Sequence, residues 1–190
     1  MKNTTISLTA ATLALAGFLA CGGGGGDKPA PLATKLDYTD PSGGTGYRFV
    51  KDAGRSTNTK LVLELRGPAS EMGRGVSFSV TSDAAKASFA KVESSDPEYA
   101  QNAAFDLGST EPKLFKGVLD GSALRVSVVQ KGAAATAKPL DNALVRIALE
   151  MKPSVPQNTS ITFTASDAKA LPASGGSQPI TIAVGVVTAK

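Results

Sequence analysis

Apolar and polar side chains alternate with a period of two in stretch after stretch of this 190-residue chain, and helical periodicity is almost absent. Leu61, Leu63 and Leu65 lie on one side of a strand whose other side carries Val62, Glu64 and Arg66. Val76, Phe78 and Val80 oppose Ser77, Ser79 and Thr81, and Leu124, Val126 and Val128 oppose Arg125, Ser127 and Val129. Val145, Ile147, Leu149 and Met151 alternate with Arg146, Ala148, Glu150 and Lys152. The same splitting recurs at Ile161, Phe163 and Ala165, and a closing strand sets Ile180, Ile182, Val184 and Val186 against Thr181, Ala183, Gly185 and Val187. Such strands bury one side only and need a second layer to cover it.

Shorter candidates at 35–39, 47–52, 86–92 and 113–119 complete an all-β chain, expected to be an antiparallel β-sandwich, a jelly roll of about nine to ten strands. Asp120-Gly121 supplies the positive φ of a type I′ turn, so 113–119 and 123–130 should form a hairpin. Gly67-Pro68, Pro41-Ser42-Gly43-Gly44 and Ser174-Gly175-Gly176 break the other strands. One helical turn is expected, from an Asp96 cap through Pro97 to Asn102. Phe78, Val126, Ile147, Phe163 and Ile182 should share one interior, and Arg146, on the opposite side of its strand, should matter little for stability.

The chain has no histidine and one cysteine, Cys21, which removes the commonest general base and every Cys–His or Ser–His triad. Ser88-Phe89-Ala90-Lys91 matches S-x-x-K in letters, but on a strand residues three apart point to opposite faces, and no K-T-G follows. Asp37 with Asp40, and Asp96 with Glu98, flank turns; they fit turn and cap aspartates better than a calcium loop. The glycine runs lack the Lys-Ser/Thr step of a phosphate cradle. No enzymatic role and no cofactor is therefore expected. The net charge of +4 comes without any run of three basic residues, so no nucleic-acid partner is expected either. Tryptophan is absent, and Tyr38 and Tyr47, which bracket one loop, read as structural, so a sugar-stacking platform is hard to build.

The first residues set an address. Lys2 is followed by an apolar run from Ile6 to Ala20, then Cys21 and five glycines. This run is shorter than the roughly 20 residues that span a bilayer. Phe18-Leu19-Ala20-Cys21 resembles the lipobox of lipid-modified bacterial lipoproteins. The resemblance implies a signal peptide at 1–20, acylation of Cys21 with fatty chains such as palmitate, and a mature chain that starts there. Membrane attachment in the bacterial cell envelope follows. Gly22, in place of a retention aspartate, leans the expectation towards the outer membrane. Residues 21–34 would form a Gly/Pro-rich tether and 35–190 the sandwich domain.

The strand order Gly75–Asp83, Phe89–Val92, Val126–Gly132 and Leu144–Leu149 is similar to that of cohesin domains and of related carbohydrate-binding modules. The resemblance implies a nine-stranded sandwich that docks a protein through one sheet face, so a non-catalytic protein-binding or assembly module is expected, with a carbohydrate-binding lipoprotein as the alternative. It carries over no contact residue. From alternation alone, if strands 123–130 and 142–152 are neighbours, Val129, Leu144 and Ala148 would form an apolar strip rimmed by Arg125, Arg146 and Glu150. That strip is either a binding site for an envelope protein or glycan, or a surface covered by residues 132–140.

Overall fold

The computed structural model describes residues 29–109, 111–131 and 136–190, and no helix occurs among them. The expected signal peptide, Cys21 and residues 132–135 of the expected covering loop lie outside the described residues. In chain order the strands are β1 (Leu36–Thr39), β2 (Tyr47–Lys51), β3 (Lys60–Arg66), β4 (Met72–Ser82), β5 (Ala87–Ala90), β6 (Ala100–Asn102), β7 (Phe115–Asp120) and β8 (Ala123–Val129). They continue as β9 (Lys138–Pro139), β10 (Val145–Met151), β11 (Thr159–Ile161), β12 (Phe163–Pro172), β13 (Gln178–Pro179), β14 (Ile182–Ala183) and β15 (Val186–Ala189).

One six-stranded sheet runs β14-β2-β3-β10-β5, with β6 also on β10. A second runs β13-β12-β4-β8-β7, with β9 on the start of β4, and a three-stranded sheet runs β1-β15-β11. Every pairing is antiparallel except β14 with β2. Leu61, Leu63, Leu65, Ile147 and Leu149 from the first sheet share one core with Val76, Phe78, Val80, Leu124, Val126 and Val128 from the second. Phe49 is fully buried among them, its ring edge-on to Phe78 and Phe163 with centroids 5.6 Å apart in each pair. The antiparallel sandwich is as expected, although the described residues form fifteen strands, several of two or three residues, rather than nine to ten, and the five residues expected to share its interior do so.

The departures have local causes. Asp120 pairs with Ala123, so the β7–β8 hairpin turns through Gly121-Ser122, and only Gly121 has positive φ (62°), the pattern of a type II′ turn rather than I′. The expected helix from Asp96 is absent. Asp96 instead accepts the Glu93 N–H through its carboxylate (2.8 Å) and closes a turn, and Ala100–Asn102 is drawn into pairing with β10. Asp167 (φ 51°) makes a bulge in β12, which moves the buried side from Phe163 to Ala168 and Ala170.

The closing strand is broken at Gly185. Ile182 is buried before it and Val187 and Ala189 after it, while Val186 is exposed, so the alternation changes phase. A Cβ at Gly185 would overlap the Thr39 carbonyl oxygen, and the Gly185 N–H donates to the Tyr38 hydroxyl at 2.7 Å. The chain there is fixed by backbone contact, not by pattern.

Residues 31–34, expected within the tether, are bonded to the sandwich. Pro31 O accepts the Gln157 N–H, Ala33 N–H donates to Val155 O, and the N–H groups of Thr34 and Lys35 donate to Lys190 O, all at 2.8 Å. Residues from Pro31 onward therefore belong to the sandwich. This entry point shares one end of the fold with the β7–β8 turn, because Leu36 N–H reaches Asn58 O (2.6 Å), Met151 N–H reaches Thr59 O (2.9 Å) and Lys152 N–H reaches Lys86 O (2.8 Å). Ser82 N–H to Ser122 O (3.4 Å) completes the link. The opposite end is marked by Val129 N–H to Leu114 O (2.9 Å), Gln130 N–H to Arg74 O (2.7 Å) and Ala173 N–H to Met72 O (3.0 Å). The seven residues of β8 separate the two ends by about 20 Å.

Candidate protein-binding face

The two large sheets each have an outer side, and the sequence treats them differently. On the β3/β10 sheet the outward positions are occupied. Val62 and Ala148 are fully buried with Val92 in a second small apolar cluster. Residues 52–56 continue from β2 as a turn along β3: Asp52 N–H donates to Val62 O (2.9 Å), and Val62 N–H donates to Ser56 Oγ (2.9 Å). Lys60 Nζ spans to Val92 O (2.6 Å).

An ion cluster includes the first residue of that turn. Arg146 Nε contacts Asp52 Oδ2 (3.1 Å), its Nη2 contacts Glu64 Oε1 (3.0 Å), and Arg66 and Arg55 add bonds to Glu64 (2.7 Å) and Asp52 (3.2 Å). Arg146 keeps only 17 % of its side-chain exposure. Burial opposes the charge on Asp52, but hydrogen bonds from Arg55, with Glu64 and from Arg146 outweigh it and hold the carboxyl below its ordinary range. Arg146 is thus a partner of two buried carboxylates rather than a free surface group.

Among the described residues nothing folds over the outer side of the second sheet. Register sets Lys169, Ser77, Ser127 and Lys116 in one row across β12, β4, β8 and β7, and Ser166, Ser79, Arg125 and Val118 in the next. Ser77, Ser79 and Thr81 are half-buried in the middle, while Arg125, Ser127, Lys116, Val118, Thr164, Ser166 and Lys169 are exposed around them. The centre is small and hydroxylated: Thr81 Oγ1 and Thr164 Oγ1 share a hydrogen bond of 2.7 Å. The rim pair Arg125–Asp120 closes at 2.8 Å. Near the end away from Pro31, a hollow of about 290 Å³ lies between Leu114, Phe115, Lys116, Ser127 and Val129. A second, of about 110 Å³, meets it at Ser127 and Val129 and extends to Lys169 and Leu171.

Of the six residues expected to form one strip, the structure brings only Arg125 and Val129 to this face. β8 and β10 belong to opposite sheets, so the strip does not exist as a single surface. Leu144 and Ala148 are fully buried, Arg146 is ion-paired, and Glu150 is exposed on the far side of the sandwich. The segment expected to cover the strip does something else: Lys138–Pro139 pairs with the start of β4, and Leu140 is buried in the core. Ser77, Ser79 and Thr81 are legible in the sequence as the side opposite Val76, Phe78 and Val80, but nothing there tells which sheet is left uncovered.

The remaining candidates are structural. The ammonium groups of Lys190 and Lys51 beside Asp37 (2.9 and 3.0 Å) hold its carboxyl well below the usual range. Asp40 accepts the Lys51 N–H, and Glu98 contacts Lys116 and the Gly117 N–H. Burial pushes the phenols of Tyr38 and Tyr47 up to about 12. Tyr38 donates to Phe49 O while accepting from Gly185. Among the described residues no three acidic or sulfur ligands gather for a metal.

No family model matches the sequence, and no curated protein matches it. Solved structures do. The sixth cohesin of scaffoldin B from Acetivibrio cellulolyticus, determined in complex with a dockerin mutant, superposes with a TM-score of 0.54 at 12% identity, covering 76% of this chain and 99% of its own. A type II cohesin domain from the cellulosome of Acetivibrio cellulolyticus gives a TM-score of 0.51 at 11% identity, covering 75% and 94%.

Proposed function

From a cohesin-like β-sandwich with one bare sheet face, we propose that this chain is a non-catalytic protein-binding module held on the bacterial cell envelope, most simply the outer membrane, by lipid on Cys21. The asymmetry of the two outer faces carries the reading. On the other outer side the central positions Val62, Ala148, Glu64 and Arg146 are already engaged within the chain, which leaves mainly its margin, Glu150 among it, exposed. A flat side of small hydroxylated residues ringed by lysine, arginine and valine offers hydrogen-bond donors and acceptors, a charged rim and no protruding obstacle. The likeness to a cohesin solved with a bound dockerin supports a protein as the partner. The docking face is the β12-β4-β8-β7 surface centred on Ser79. A photo-crosslinking amino acid placed at Ser79 or Ser127 should trap an envelope protein, whereas the same probe at Glu150 should not. Equal trapping from Glu150 would remove the basis for choosing this face.

The anchor rests on the leader sequence. Cys21→Ser should leave the protein in the soluble fraction or unprocessed, because stable attachment needs more than one acyl chain and the cysteine is where they would be joined. Fractionation of cells expressing the two forms checks this, and a processed serine form that stays with membranes would refute the lipid anchor.

A further inference from the structure

Resting on the reading of the bare sheet as a docking face, we propose that the end of this face farthest from Pro31 receives a partner segment in which acidic residues flank an apolar anchor. The row Lys169–Ser77–Ser127–Lys116 crosses four strands, so its two lysines stand about 14 Å apart, three strand spacings. Between and beside them are the outward apolar groups of the two joined hollows: Val129, Leu171 and Leu114, the last 44% exposed. Lys113 lines the same hollow as Lys116. Lys113 and Lys169 form no salt bridge among the described residues. Lys116 contacts Glu98 at 3.2 Å but is 72% exposed, which leaves its ammonium open to a second carboxylate.

Asp120 pairs with Arg125 at the end near Pro31, and Asp167 takes the Ser166 hydroxyl at the bulge (3.1 Å). Glu98 and Glu111 lie beside Lys113 and Lys116, Glu98 on the Lys116 ammonium and Glu111 on the Lys113 N–H (2.9 Å), so Lys113, Lys116 and Lys169 outnumber the carboxylates there. The far end is therefore a cationic rim around an apolar floor, and its complement is a carboxylate-bearing segment with a buried side chain between the charges. The apolar floor disfavours a polyanionic glycan, whose surface is polar throughout. Its position, about 20 Å along β8 from the tether end, turns it away from a membrane held at that end.

The test is selection of random peptides displayed on phage by the described domain, residues 29–190, followed by titration of one synthetic consensus peptide. We expect Asp or Glu on both sides of Leu, Ile, Val or Phe. Its affinity should fall about tenfold in Lys113→Glu/Lys169→Glu, and again when salt rises from about 0.05 to 0.5 M, and should hold in Glu150→Lys. Unchanged thermal unfolding of the lysine variant, whose substitutions are exposed, shows that the loss is one of binding. Neutral or basic peptides that are nonetheless blocked by Ser79→Arg would overturn the acidic partner and leave the docking face standing. Peptides that bind in the presence of both Ser79→Arg and the double lysine variant would overturn both readings. Failure to enrich any peptide, or preference of the same lysines for anionic vesicles or a uronate oligosaccharide, would overturn the acidic-segment proposal alone.

Discussion

Replacing Arg146 by alanine should destabilise the protein by about 3 kcal/mol, the lower end of the range for removing one partner from a buried ion pair. The guanidinium is shared between Asp52 and Glu64, whose side chains are only 10% and 8% exposed. Without it, two nearby and largely inaccessible carboxylates remain, Asp52 with Arg55 and Glu64 with Arg66. The pH dependence separates this cause from a packing loss. Asp52 has a lowered folded pKa, so its contribution is present at neutral pH, above the unfolded value near 4, and is lost as pH falls through the folded value. Once Asp52 is protonated the missing cation matters less. Denaturant unfolding of parent and variant should show the deficit shrinking between about pH 7 and pH 3. A deficit constant with pH would assign the effect to lost packing of the arginine stem.

Phe49→Ala should cost about 3–5 kcal/mol, the range for truncating a buried aromatic to alanine. Phe49 comes from β2 in one sheet, and its two edge-on partners, Phe78 on β4 and Phe163 on β12, come from the other. The ring is thus the contact that joins the layers, and its removal leaves a cavity no single neighbour can fill. The urea midpoint should fall sharply with an unchanged slope if the fold survives. A loss under about 1 kcal/mol would mean the two sheets close over the gap.

The sandwich was legible because alternation reports burial directly: β3, β4, β8 and β10 fall on the stretches where Leu, Val, Phe and Ile alternate with polar partners. Where strands change phase the pattern misleads. Gly185 and the Asp167 bulge each shift the buried side, for reasons set by a carbonyl on another strand and by backbone geometry. The binding strip failed for a topological reason. Alternation gives two faces for each strand but no sheet partners, and β8 and β10, both clear strands, lie in opposite layers. Arg146 failed for a related one. An outward charge on a strand reads as solvated until its partners, here Asp52 just past β2 and Glu64 on β3, are seen beside it. No local signal in residues 52–56 announces that Asp52 will reach a strand two places away in the sheet.

Docking on the bare sheet is the central claim, and calorimetric titration of the cross-linked envelope partner against three forms of the domain tests it most directly. Ser79 sits mid-face between Arg125 and Ser166, so Ser79→Arg adds bulk and like charge at the centre of the proposed contact with little change to the core beneath. Glu150→Arg makes an equally large change on the opposite outer side. The expected result is loss of measurable binding for Ser79→Arg with its melting temperature nearly that of the parent, and parental affinity for Glu150→Arg. Parental affinity for Ser79→Arg, or binding lost only in Glu150→Arg, would contradict the account.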